Sequence, residues 1–489
     1  MERSLRVRGV PRSIEAFAIA AAFLASASSA NAALTISGGT TKNVSCVSGV
    51  CTATAATAVL NKNDLETLLA SSNVQVVPGS VATNIVVNTS VTWASGYGLT
   101  LGAYQSIAFD EPVTVNGTGA LTILTNDGGS GGDYMFGPKG KVTFLSTSNA
   151  LTINGTAFAL LGSMSDVQAI NTSLSGNYAL ANFLNASGVK NWVPLGTDGM
   201  GNVLNGSSGF TGNFEGLGHA ITSLVVNTGA YDYAGLFGAV GGTIRDVGVG
   251  GGSVTGAKFV GGLAGLMSGG TVTRCYSTAK VGKSSSRNVG GLVGANYAAT
   301  ISDSYATGAI LGSSPVGGLV GVNAGSTISQ SFATGSVTAT VQNMGDSVGA
   351  GGLVGYNHFQ AATIDNSYAT GALPDSANNR GGLVGVNRTT STTILNSFAT
   401  GLIGDGGSGV GGFVGCIGGE ISDGYWDMQT SGIGASQGDG CVANYQGITG
   451  LTTAQLQSGL PAGFDPTIWA ENPSINGGFP YLINNPPPE

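Results

Sequence analysis

Gly-Gly-Leu-Val-Gly stands at residues 290–294, 317–321, 351–355 and 381–385. Variants of it occupy 234–238 (Ala-Gly-Leu-Phe-Gly), 261–265 (Gly-Gly-Leu-Ala-Gly) and 411–415 (Gly-Gly-Phe-Val-Gly). The starts lie 27, 29, 27, 34, 30 and 30 residues apart. A second phrase keeps step: Cys275-Tyr-Ser-Thr, Ser304-Tyr-Ala-Thr, Ser331-Phe-Ala-Thr, Ser367-Tyr-Ala-Thr and Ser397-Phe-Ala-Thr. A period of this size marks stacked units, each burying its apolar face against its neighbours. Helical repeats need runs of good helix formers, whereas these units hold short Val/Ile/Thr/Tyr stretches between glycines. The fold class is therefore all-β, a parallel β-solenoid, expected to be right-handed because parallel crossovers are.

In such a coil Leu263, Leu292, Leu319, Leu353, Leu383 and Phe413 stack as one interior column. Val293, Val320, Val354, Val384 and Val414 are expected on the other face. Paired glycines supply positive φ or tight packing at corners. Asn296, Asn323, Asn357 and Asn387 recur two residues after the phrase and are placed to form an amide ladder. The column Tyr276/Tyr305/Phe332/Tyr368/Phe398 has no assigned facing; the exchange of Tyr with Phe favours burial with the hydroxyl at a rim.

With 84 glycines but 42% hydrophobic and only 9% charged residues, the chain is ordered and turn-dense, not disordered. Residues 1–32 read as a signal peptide: Arg3, Arg6, Arg8 and Arg12, an apolar Ala16–Ala25, then Ala30-Asn-Ala32. Removing it leaves 13 basic against 23 acidic side chains, a surface that repels phosphate backbones and makes nucleic acid an unsuitable partner. Residues 33–160 show period-2 strands, such as Val91-Thr-Trp and Leu121-Thr-Ile-Leu, and Asn63-Asp-Leu-Glu66 has the form of a capping box opening a short helix. Residues 161–232 are irregular β leading into the repeats at 233–419, and 420–489 form a C-terminal cap with a Pro-rich tail.

Five cysteines follow Ala32. Cys46 with Cys51, and Cys416 with Cys441, are disulfide candidates in an exported chain. Cys275 occupies the serine position of the other repeats and reads as a packed small residue. There is no Cys-x-x-Cys, and His219 and His358 are the only histidines, so neither metal nor cofactor is expected. Asp303, Asp346, Asp365 and Asp375 share no repeat position; no catalytic residue is assigned, and the chain is expected not to be an enzyme.

The phrases resemble the GLUG motif, and with Leu174-Ser-Gly-Asn-Tyr-Ala-Leu, Phe210-Thr-Gly-Asn-Phe-Glu-Gly and Gly478-Phe-Pro-Tyr-Leu the chain is similar to the passenger region of filamentous-haemagglutinin-type bacterial adhesins. The resemblance implies a secreted or cell-surface adhesin that binds glycans or matrix proteins of a host or neighbouring cell. It also implies an outer-membrane secretion partner. GLUG repeats also accompany a zinc peptidase in immunoglobulin-cleaving enzymes, but no His-Glu-x-x-His is present here. Two other readings stay open: a β-helix polysaccharide-processing enzyme and a purely structural surface protein.

Overall fold

A computed structural model describes residues 32–340, 349–359, 361–374 and 377–488. The expected signal segment, apart from Ala32, lies outside them, as do Asp346 and Asp375. The chain is a parallel β-solenoid in two stretches with different cross-sections.

The first stretch has three-sided coils. Strands Asn84–Val87, Val91–Trp93 and Leu99–Gly102 make one coil; Ile107–Phe109, Val113–Val115 and Ala120–Leu124 make the next. They stack in register, with Val113 on Val91 and Leu121 on Leu99. Alternate residues point inward, so Ile85, Val87, Val91, Leu99 and Leu101 are buried while Thr92 stays out. The helix Lys62–Leu69 is capped by the Asn61 side chain, two residues before the expected opening at Asn63.

This stacking ends at a hairpin. Ala150–Ile153 runs antiparallel to Thr156–Leu161 across Asn154 (φ 48°) and Gly155 (φ 80°), an Asn-Gly pair whose positive φ values suit a tight hairpin turn. Parallel stacking then resumes from Thr156–Leu161 onto Asn177–Leu180 and continues to Glu420–Asp427 and Ile448–Leu451.

In the second stretch one full coil runs Thr300–Ser302, Tyr305–Ala306, Ile310–Gly312, Val316–Gly317 and Val320–Ala324. The next coil lies on it residue for residue: Ile301 on Ile328, Tyr305 on Phe332, Ile310 on Val337, Val320 on Val354. The leucine column, Leu263 to Phe413, is fully buried. So are Val293, Val320, Val354, Val384 and Val414, which corrects their expected placement on the other face. Leu319 sits at the corner between Val316–Gly317 and Val320–Ala324, and a chain that turns there points two successive side chains inward. Each buried side chain contributes about 1.5–3 kcal/mol.

The glycines of the phrase answer to space, not to φ. A Cβ on Gly317 would stand 2.7 Å from the Gly355 nitrogen, and one on Gly321 2.5 Å from the Gly294 oxygen. The two sheets that meet at this corner therefore touch backbone to backbone.

Side chains tie coil to coil. Asn296 donates to Asn323 (2.9 Å), Asn323 to Asn357 (2.8 Å) and Asn357 to Asn387 (2.7 Å), all fully buried. A serine ladder runs beside it: the amides of Cys275, Ser304, Ser331 and Ser367 donate to the hydroxyls of Ser304, Ser331, Ser367 and Ser397 at 3.1–3.3 Å. The aromatic column faces outward from the main core. Its rings stack at 4.8–5.1 Å within 7° of parallel, from Tyr276 to Phe398. The C-terminal segment closes over Phe332, Tyr368 and Phe398 with Leu456, Phe464, Trp469 and Leu482. Tyr276 and Tyr305 remain half-buried.

Candidate functional site

Two places gather chemistry. The first is the outer side of the seven-stranded sheet that includes Val293–Tyr297, Val320–Ala324 and Val354–His358. Tyr233 stacks on Phe259 at 5.2 Å, Phe259 meets Tyr297 edge-on at 6.5 Å, and Tyr356, His358 and Phe359 form a run with centroids 4.2 and 4.1 Å apart. Ala295, Val322 and Ala324 lie between them as a floor. Phe359 is 60% exposed. Lys258 Nζ stands 4.4 Å over the Phe259 ring, a cation–π contact. Burial, and then the charge of Arg388, lower the His358 pKa to about 4, so its ring is neutral at physiological pH.

Three of these aromatics carry left-handed backbone: Tyr233 (φ 67°), Phe259 (φ 56°) and Phe359 (φ 65°). At the position of Phe259 the next coil has Asn288, and later coils have Asn379 and Gly409, residues that tolerate this conformation. A bulky ring there costs roughly 1–3 kcal/mol. Of the three, Phe259 is buried, Tyr233 is half-buried and Phe359 is exposed.

The second place is a charged seam where the end of the first stretch meets the second. Asp133 and Tyr134 come from the first; Glu215, Arg245, Asp246 and Arg274 come from successive coils of the second. Arg245 Nη2 donates to Asp133 at 2.9 and 3.1 Å, and its Nε donates to Asp246 at 2.8 Å. Arg274 pairs with Asp246 (2.7 Å) and Asp133 (3.0 Å). Tyr134 donates to Glu215 at 2.5 Å, the Leu217 amide donates to the other Glu215 oxygen at 3.1 Å, and the Arg245 guanidinium lies 3.9 Å over the Tyr134 ring. Three carboxylates face two guanidiniums, an excess of one negative charge in a buried place. Burial above all raises the Glu215 pKa to about 7, against the pull of Arg245, so this carboxyl holds a proton near neutrality. Burial likewise raises Asp303, in the following coil, to about 6.

The sequence reading treated the carboxylates as dispersed and missed this seam. Its members are brought together by stacking and by a contact across more than 110 residues. One signal was available: Arg274 stands in a corner column of left-handed residues otherwise filled by Asp246, Asp303, Gln330, Asn366, Asn396 and Asp423.

The disulfide candidates are paired, Cys46 with Cys51 (Cα–Cα 4.0 Å) and Cys416 with Cys441 (5.0 Å), and Cys275 is a buried free thiol. His219 is buried with Nε2 2.8 Å from the Val142 carbonyl, pinning a turn to the first stretch. Among the described residues no group of three or more His, Cys, Asp or Glu is arranged to hold a metal. No helix among them is long and apolar enough to cross a membrane.

Residues 285–311, 312–338 and 346–373 match the GLUG motif. The chain is also similar to halomucin of Haloquadratum walsbyi, 28% identical over 231 residues, which is 44% of this chain and 2% of that protein. The chain thus aligns with only a small part of halomucin's length. Among solved structures it is similar to a candidate immunoglobulin A1 protease from Bacteroides ovatus: TM-score 0.43, 18% identity, over 67% of this chain and 92% of that one.

Proposed function

We propose that this protein is an exported surface or secreted repeat protein that binds glycan or matrix ligands along its aromatic face, without catalysis. The observation that carries the reading is the cluster of half-buried Tyr233, Tyr297 and Tyr356 and exposed Phe359 around the buried Phe259 ring, with Tyr233, Phe259 and Phe359 in a costly backbone conformation. Ring faces pack well against the apolar faces of sugars and against matrix side chains. A stack that repeats its surface every ~4.8 Å suits many weak contacts to an extended ligand. The GLUG repeats and the similarity to halomucin fit a surface or secreted setting. A glycan and matrix-protein array probed with the full chain and with a Tyr297→Ala/Tyr356→Ala variant tests it. Binding by the parent that falls at least tenfold in the variant is expected; no ligand, or undiminished binding, refutes the face.

A second reading, a polysaccharide-processing enzyme, is favoured by Glu215, a carboxyl beside Arg245 whose pKa burial raises to about 7. Release of reducing ends from a polysaccharide panel, abolished by Glu215→Gln, would establish it in place of the first.

A further inference from the structure

Beside the charged seam lies an open cavity of about 190 Å³. It is lined by the hairpin that ends the first stretch, with Thr156 and Phe158, and by Asn213, Glu215, Thr243 and Arg245. We infer that this cavity seats a single neutral hexose unit.

Size is the first reason. The volume equals that of roughly six waters, enough for one pyranose ring with its hydroxyls and too small for a disaccharide. The donors and acceptors are the second. Arg245 spends Nε and Nη2 on Asp246, Asp133 and the Tyr134 carbonyl, while its Nη1 has no partner among the described residues. Asn213 donates its amide to Asn177 at 2.7 Å, which leaves its Oδ1 open. The Thr156 and Thr243 hydroxyls add groups that both donate and accept. Alternating donors and acceptors around a small space match vicinal hydroxyls, each of which does both. The half-buried Phe158 ring supplies an apolar wall of the kind that covers a sugar's C–H face. Charge is the third reason. With the Glu215 carboxyl holding its proton, Asp133 and Asp246 already balance Arg245 and Arg274, so no net positive charge is left to hold a sugar acid, whereas a neutral ring needs none. A site of this size with one ring of contacts binds weakly, with Kd on the order of a millimolar.

The ligand class follows the glycan reading above, but the place is separate from the aromatic face, and the two can fail independently. The test titrates the full chain with methyl glucoside, methyl galactoside and methyl mannoside, and with glucuronate as the anionic control. Saturation-transfer NMR and calorimetry supply the readout. Saturable binding of at least one methyl hexoside is expected, with glucuronate at least tenfold weaker. Thr156→Trp, which fills the cavity, should abolish the signal, and Asn213→Leu should weaken it about tenfold, with parental melting temperatures in both. Tyr297→Ala/Tyr356→Ala should leave hexoside binding intact while lowering any binding to extended glycans. No saturable hexoside binding, or binding that survives Thr156→Trp, overturns the assignment. Loss of the hexoside signal in the face variant alone moves the sugar to the aromatic face.

Discussion

Asn357 donates its side-chain amide to Asn387 at 2.7 Å, and there the ladder stops, because the next coil places Ile417 beneath Asn387. The Asn387 Nδ2 is buried with no acceptor among the described residues, and at the other end the Asn296 Oδ1, next to Met267, has no donor. A buried unpaired amide group costs about 1–3 kcal/mol. Ile417→Asn supplies the missing acceptor, so it should melt above Ile417→Ala by an amount on the order of 1 kcal/mol. Asn323→Leu, which strands groups on both Asn296 and Asn357, should cost roughly 2–5 kcal/mol. Thermal melts followed by circular dichroism read both.

Gly317→Ala should destabilise the repeats by roughly 3 kcal/mol, since its Cβ meets backbone that belongs to the adjoining sheet and cannot rotate away. Gly188→Ala is the control: a Cβ there has nothing within 4 Å, and the melting temperature should stay within a degree or two of the parent. Equal melting of the two variants would mean that the sheets do not touch at that corner.

The seam makes stability depend on pH in a stated direction. Folding raises the Glu215 pKa from 4.5 to about 7, so the folded protein binds this proton more tightly than the unfolded chain. The contribution is fully present below pH 4.5 and is lost as pH rises through about 7. The groups facing the carboxyl are Tyr134, Arg245, Asp246 and Asp133, with Arg274 behind them. Glu215→Gln keeps an acceptor for Tyr134 but cannot ionise. It should flatten the fall in melting temperature between pH 5 and 8; a profile identical to the parent would remove Glu215 from the account.

Cys275 should stay inert to a thiol reagent until the chain unfolds, because full burial pushes its thiol well above the usual range. Cys275→Ser places a hydroxyl where Ser304 and Ser331 donate to the carbonyl two residues back, and should shift stability by less than about 1 kcal/mol. Fast labelling of the native protein would show that the first coil of the serine ladder opens.

Period carried most of the fold into the sequence. Leu319, Asn323 and Ser331 each recur at one coil position, so stacking is legible in the amino-acid sequence, and so are the cysteine pairs at the two ends. What has no period was illegible. Asp133 meets Arg245 through a contact that only the finished packing creates, and nothing around either residue announces the other. The valines were misplaced because strict alternation was carried through a corner. The hairpin at Asn154-Gly155 was overlooked although Asn-Gly between apolar stretches is a strong local signal. For the aromatic face, the strained backbone of Phe259 can be seen only in three dimensions.

The C-terminal segment lies back along coils made long before it. Trp469 donates to Asn366 at 2.9 Å, and Asn485 donates to the Gln330 carbonyl at 3.0 Å, 155 residues upstream. Coils can stack one upon another as the chain emerges, each finding its partner about thirty residues away, which is a fast, local search. The rings of Phe332, Tyr368 and Phe398 stay wet throughout that process, because their cover, from Leu456 to Leu482, follows them in the chain. The aromatic column is therefore assembled in one step and sealed in another: stacking the coils lines up its rings, and only the docking of the segment from Leu456 to Asn485 takes them out of water.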